Sequence, residues 1–190
     1  MSRLIEKSVL HHLLCHLDQN SFWHTFLSAY RPKHNTETAL LRVVNDLRTA
    51  SDSGFISILT LLELSAAFNT MYHNIVLIRL ENTFGIGDLA LSFFASYLQD
   101  RIQVVTVNEV KSSPSLLTCG VPQGSVLGPV LFILYIQPLS GVISHHSVSH
   151  YMFAHDTELY KSDFPSEAFT LARTIETLHF SCQLRSSSSE

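Results

Sequence analysis

The stretch Thr118–Pro129, T-C-G-V-P-Q-G-S-V-L-G-P, constrains the fold of this chain more than any other. Gly120, Gly124 and Gly128 stand with Pro122 and Pro129 in ten residues, a pattern that suits neither a regular helix nor a strand in a ladder. The backbone here is a shaped loop, with glycine where φ is positive or where another group approaches closely. An apolar run follows, Val130-Leu131-Phe132-Ile133-Leu134-Tyr135-Ile136, closed by Gln137-Pro138. It is long enough for two helical turns, so the unit predicts a loop feeding a buried helix. On composition alone it reads equally as an ordinary turn ahead of a core helix.

The remaining elements follow from periodicity. Leu4, Ile5, Val9, Leu10, Leu13, Leu14 and Leu17 recur at helical spacing and predict an amphipathic helix over residues 3–17. A second helix is predicted to about Ser51, N-capped by Asn35 or Thr36. The apolar, β-branched run 54–64 predicts a buried strand with Glu63 near its end, where a carboxylate must be exposed, paired or bound to a cation. Helices over 73–84 and 88–97, a strand over 102–107, a short hairpin around Ala154-His155-Asp156-Thr157 and a helix over 165–179 complete the reading. The serine-rich end, 185–190, predicts disorder.

Three stretches carry a family resemblance. Gly120-Val121-Pro122-Gln123-Gly124-Ser125 with Leu127-Gly128-Pro129 resembles the nucleotide-and-template loop of reverse transcriptases from non-LTR (LINE-type) retrotransposons. Leu61-Leu62-Glu63-Leu64-Ser65-Ala66-Ala67-Phe68-Asn69-Thr70-Met71-Tyr72-His73 resembles that family's L-D-L-S-A-A-F-D-T-V-D-H strand, and Tyr151 to Tyr160 resembles its Y-A-D-D-T-Q-L-Y hairpin. Tyr30-Arg31-Pro32 and the residues after it resemble a further family segment, G-F-R-P-x-x-S-T-E-T-A-L-L. The resemblance covers about Arg3 to Lys161. It implies an α+β fold: a polymerase palm of antiparallel strands with helices on one face over 51–163, and partial helical fingers over 1–50. A C-terminal helix and tail occupy 164–190, and the thumb is missing.

The resemblance also implies a chemistry. Nucleotidyl transfer uses two Mg²⁺ ions roughly 3.5–4 Å apart, which require hard oxygen ligands in tight octahedral geometry. The family's three aspartates fall on Glu63, His155 and Asp156, the catalytic positions, of which Glu63 and Asp156 keep a carboxylate for metal. Glu63 is longer by one methylene, a displacement on the order of 1 Å that costs about 100-fold where reacting groups must be aligned. Imidazole at His155 suits Zn²⁺ or Cu²⁺ rather than Mg²⁺. Asn69 and Tyr72 stand where the family has acids. Phe68, Gln123 and Gly124 match the nucleotide pocket, although a Phe after an apolar strand reads as core too. Arg31 is either a template contact or a solvated loop arginine.

Composition adds exclusions. Twelve Lys and Arg against sixteen Asp and Glu give a net charge of −4, which counts against an extended phosphate-binding surface. Three cysteines without a C-x-x-C pair support neither a disulfide framework nor a zinc ribbon, and His145, His146, His150 and His155 follow no recognised zinc spacing. No secretory signal is expected, and the apolar run 126–143, cut by glycine and proline, falls short of a membrane span, so an intracellular setting is expected. The chain is therefore expected to be a truncated reverse transcriptase whose partners are RNA template, DNA primer and dNTP, with Mg²⁺ weakly bound and catalysis weak or lost. The alternatives are a non-catalytic nucleic-acid-binding module and a retrotransposon relic without function.

Overall fold

The computed structural model describes residues 3–23, 29, 35–63, 68–122, 124–154 and 156–187, with 179–187 as backbone only. In chain order the elements are α1 (Arg3–Gln19), α2 (Thr36–Asp52), β1 (Ile56–Glu63), α3 (His73–Asn82), α4 (Asp88–Leu98), β2 (Arg101–Gln103), β3 (Thr106–Val107), β4 (Val110–Lys111), β5 (Ser115–Leu117), α5 (Gly128–His145), β6 (Ser149–Phe153), β7 (Asp156–Asp163) and α6 (Ala168–Ser187). The chain is α+β, as expected. It divides into two units, Met1–Phe22 with Ala66–Tyr135 and Trp23–Ser65 with Ile136–Glu190.

The second unit is built on an antiparallel sheet of order β1-β7-β6. Its central strand explains the arrangement. Thr157 and Leu159 of β7 alternate with Tyr160 on the opposite face, and all three are buried, so both faces need cover. On one face Tyr151 and Tyr160 pack with Ala39 and Val43 of α2, and Asp46 of α2 accepts the Tyr160 hydroxyl at 2.6 Å. On the other face Leu62 and Leu159 pack with Ile143 of α5 and Ile175 and Leu178 of α6. Helices thus lie on both faces, not on one as the sequence suggested, because apolar residues project from β7 in both directions.

α2 starts where Asn35 caps it. The Asn35 side-chain oxygen accepts the Thr38 N–H at 2.8 Å, and the Thr38 hydroxyl accepts the Asn35 N–H at 3.1 Å. This closes a capping box and satisfies two otherwise orphaned donors. β1, expected to be buried, is buried on one face only: Leu59 and Leu61 are 45% and 70% exposed. β1 is an edge strand, and the buried contacts of α2 on this face fall on β6 and β7 instead.

In the first unit α3 and α4 pack beside α1 and the first half of α5. Leu13 and Leu17 of α1, Leu80 of α3 and Leu98 of α4 are buried, whereas Leu4 and Ile5 of α1 are exposed. The His16 ring donates from Nε2 to the Phe84 carbonyl at 2.7 Å, tying α1 to the end of α3. The expected strand 102–107 is two short pieces: β2 pairs with β5, and β3 pairs with β4 around Asn108-Glu109.

α5 also departs from expectation. It begins at Gly128 and continues through Pro138 to His145, instead of closing at Gln137-Pro138. Proline inside a helix costs ~3 kcal/mol. That is outweighed by Leu131, Ile133, Leu134 and Ile143, each 1% exposed or less, at about 1.5–3 kcal/mol per fully buried side chain. Among the described residues α5 alone reaches the length and apolarity of a membrane span, and half of its 18-residue window is buried within the protein, as in a core helix. α6 likewise runs past His179 to Ser187.

Candidate functional site

Two groups of sequence-predicted residues are described, one in each unit. In the second unit β1 and β7 run antiparallel over eight pairs, and the last pair is Glu63 with Asp156. Residues directly opposite in such a ladder share a face, with Cβ atoms about 4.5–5.5 Å apart. The two carboxylates therefore stand side by side, both exposed, at the turn end of the sheet. Ala154, in the turn between β6 and β7, has φ of 56°, the left-handed conformation a two-residue hairpin demands. His155 lies outside the described residues, as do Arg31 and Gln123.

Glu158, two residues beyond Asp156 on the same strand, shares that face. Burial, and secondarily the charge of Asp156, raise its pKa above the ordinary carboxylate value. One of its oxygens is buried without a hydrogen-bond partner. The sequence reading did not single out Glu158, although an acid two residues from an acid on one strand marks a shared face. Among the described residues no group of three His, Cys, Asp or Glu is placed to hold a metal ion. The donor chemistry of Glu63 and Asp156 fits a single hard divalent cation, and does not fit a fully liganded pair.

In the first unit the loop before α5 is braced against residues 68–73. Gly120 donates its N–H to the Met71 carbonyl at 2.9 Å, Val121 donates to Phe68 at 3.1 Å, and His73 donates from Nε2 to the Gly120 carbonyl at 2.7 Å. Gly120 has φ of 83°, and a Cβ there would lie 3.3 Å from the Asn69 backbone. Gly128 is required for a different reason, since its Cβ would come within 2.9 Å of Val121. The loop's glycines thus serve both purposes that the sequence indicated. Gly124 is exposed with φ of 75°, and a guanidinium nitrogen of Arg3 lies 3.6 Å from where its Cβ would be.

Phe68 is half-buried, its ring 5.2 Å from that of the buried Phe132 at a tilt of 47°. One side of the ring is thus part of the α5 packing. Tyr72, where the family has an acid, bridges to Cys119, and Asn69 is exposed beside Gly120. Tyr135 of α5 carries the Arg79 guanidinium 4.8 Å over its ring. Burial raises the Tyr135 pKa and lowers that of Arg79.

The following half of the loop is held by a residue that the sequence reading passed over. Glu6 of α1 is 7% exposed, and its Oε2 accepts the Val126 N–H at 2.7 Å. The hydroxyls of Tyr97 and Ser125 hydrogen-bond to each other and lie 3.3 and 3.4 Å from the same oxygen. The available signal was an acid on the apolar stripe of α1, in line with Leu10, Leu13 and Leu17.

Comparison with known proteins bears on this arrangement. A family model described as reverse transcriptase (RNA-dependent DNA polymerase) matches residues 1–185. The RNA-directed DNA polymerase from mobile element jockey of Drosophila melanogaster is 31% identical over 135 residues, covering 71% of this chain and 14% of that protein. The probable RNA-directed DNA polymerase from transposon X-element of the same fly is 34% identical over 106 residues, 56% of this chain and 12% of that one. The chain thus spans about one seventh of the length of the curated relatives it matches. Apo telomerase from Candida tropicalis, truncated from its C-terminal domain, matches with a TM-score of 0.63 at 13% identity, over 91% of this chain and 36% of that one. At that identity the likeness concerns the fold alone.

Proposed function

The chain belongs to the reverse transcriptase family, and we propose that it is part of a non-LTR retrotransposon reverse transcriptase domain whose own catalysis is weak or absent. The family reaction is DNA synthesis from dNTPs on an RNA template, extending a DNA primer. In this reading residues 51–163 supply the palm, with β1, β6 and β7 as its sheet, residues 1–50 belong to the fingers, and 164–190 follow as a C-terminal segment. The single observation that carries it is the register pairing of Glu63 with Asp156, both exposed, at the end of the sheet.

Glu63 and Asp156 would hold one Mg²⁺. A bound Mg²⁺ would supply Lewis-acid stabilisation of charge on phosphoryl oxygens. The side chains of this copy limit that role. Glu63 brings its oxygens further from the backbone than an aspartate does, and His155 replaces a hard carboxylate with imidazole, so the second metal position loses its ligands. Phe68, Gln123 and Gly124 are assigned to the nucleotide and Arg31 to the template. Phe68 is supported in this by its half-exposed ring, and Gly124 by its exposed position beside Arg3.

Primer extension on an RNA template with Mg²⁺ or Mn²⁺ tests the reading. The purified chain is expected to extend poorly or not at all, and the double variant Glu63→Asp with His155→Asp to extend more. Robust extension by the unmodified chain overturns the assignment of a broken site.

A further inference from the structure

Glu6 is a buried acid far in sequence from everything assigned so far. Burying an ionised carboxylate is costly unless donors surround it, and here one oxygen lies within reach of a backbone N–H and of two hydroxyls that also hydrogen-bond to each other, one of which is left to donate to it. Val126 offers a backbone N–H at 2.7 Å, Ser125 its hydroxyl at 3.4 Å, and Tyr97 of α4 its hydroxyl at 3.3 Å. Ser125 passes the constraint on, since its oxygen also accepts the Gly128 N–H at 2.7 Å, the first residue of α5. Burial, with Glu6 contributing, raises the Tyr97 pKa and keeps the phenol a donor. The path therefore runs from α1 through one carboxylate to the two residues after Gly124 and on to the start of α5.

We propose that Glu6 is the positioning residue of the glycine-rich loop: its carboxylate fixes Ser125 and Val126, and through them sets where Gly124 presents its backbone. The proposal rests on the reading of this loop as the nucleotide loop only for its consequence, not for the contact itself. A hydrogen bond to a charged group is stronger than a neutral one, so a glutamate here holds the loop more firmly than an amide would. α1 becomes in effect a part of the loop's support, with Glu6 119 positions from Ser125 in sequence.

The test is amide hydrogen exchange by NMR on the full chain, with Glu6→Ala and Glu6→Gln, alongside titration of a dNTP with Mg²⁺. Glu6→Ala is expected to lower protection at Val126 and Gly128 by about tenfold while Leu80 and Leu98 in α3 and α4 keep theirs. Glu6→Gln, which retains an acceptor oxygen, should recover much of the protection at Val126. Unchanged protection at Val126 and Gly128, or an equal loss throughout α3 and α4, overturns the proposal by showing no role or a purely structural one. Where the unmodified chain binds dNTP, Glu6→Ala should weaken it by about tenfold with the Gln variant between the two, and an unaltered affinity counts against positioning. Failure of the unmodified chain to bind dNTP refutes the nucleotide reading of the loop and leaves the exchange data to decide Glu6.

Discussion

At the scale of single residues, the acidic face of the sheet makes a pH-dependent prediction. Glu158 sits beside Asp156 with a raised pKa, chiefly through burial. A carboxyl whose pKa is higher folded than unfolded favours the folded state in its protonated form. Stability is therefore lost as pH rises from the unfolded value, about 4.3, through the folded one. Glu158→Gln removes that loss. Urea titrations should show the variant more stable than the parent at pH 7, by under about 1 kcal/mol because the group is partly solvated, with the difference vanishing below the ordinary glutamate range. Gly120 predicts the opposite sign. Its φ of 83° strains any side chain and the backbone of Asn69 would crowd a Cβ, so Gly120→Ala should cost ~1–2 kcal/mol in the same assay.

At the scale of elements, the hairpin of β3 and β4 carries a local conflict. Asn108 and Glu109 have φ of 47° and 68°, the two positive values of a type I′ turn. Asparagine accepts this conformation and glutamate does not, at a cost of ~1 kcal/mol. Glu109→Gly is expected to stabilise the chain by up to about 1 kcal/mol, read as a higher urea midpoint with an unchanged slope.

The helices of this chain were legible wherever apolar spacing was regular, as in α1, α3 and α4, whereas the register that pairs Glu63 with Asp156 was not read from the sequence. Other features were not legible because they depend on what lies across the fold. Pro138 reads as a stop, yet burial on both sides of it carries α5 onward. Leu59 and Leu61 read as core, yet on an edge strand they remain 45% and 70% exposed. Glu6 reads as one polar residue in a helix, because its partners, Tyr97, Ser125 and Val126, are far along the chain.

At the scale of the whole molecule, the proposal is that the chain combines a family fold with a metal site reduced in ligands. The fold is retained across 91% of the chain against a telomerase structure, and the strand pairing that would bring the carboxylates together is intact. In the proposed reading the departure from the family lies in side-chain chemistry, at Glu63 and His155. On that reading the loss concerns cation binding, which can be measured apart from polymerisation. The decisive measurement is Mn²⁺ binding by electron paramagnetic resonance, on the unmodified chain, on Asp156→Asn and on the Glu63→Asp, His155→Asp double variant. The account predicts weak binding of one ion in the unmodified chain, its loss in Asp156→Asn and at least about tenfold tighter binding in the double variant. Tight binding of two ions by the unmodified chain, or binding indifferent to Asp156→Asn, would contradict it.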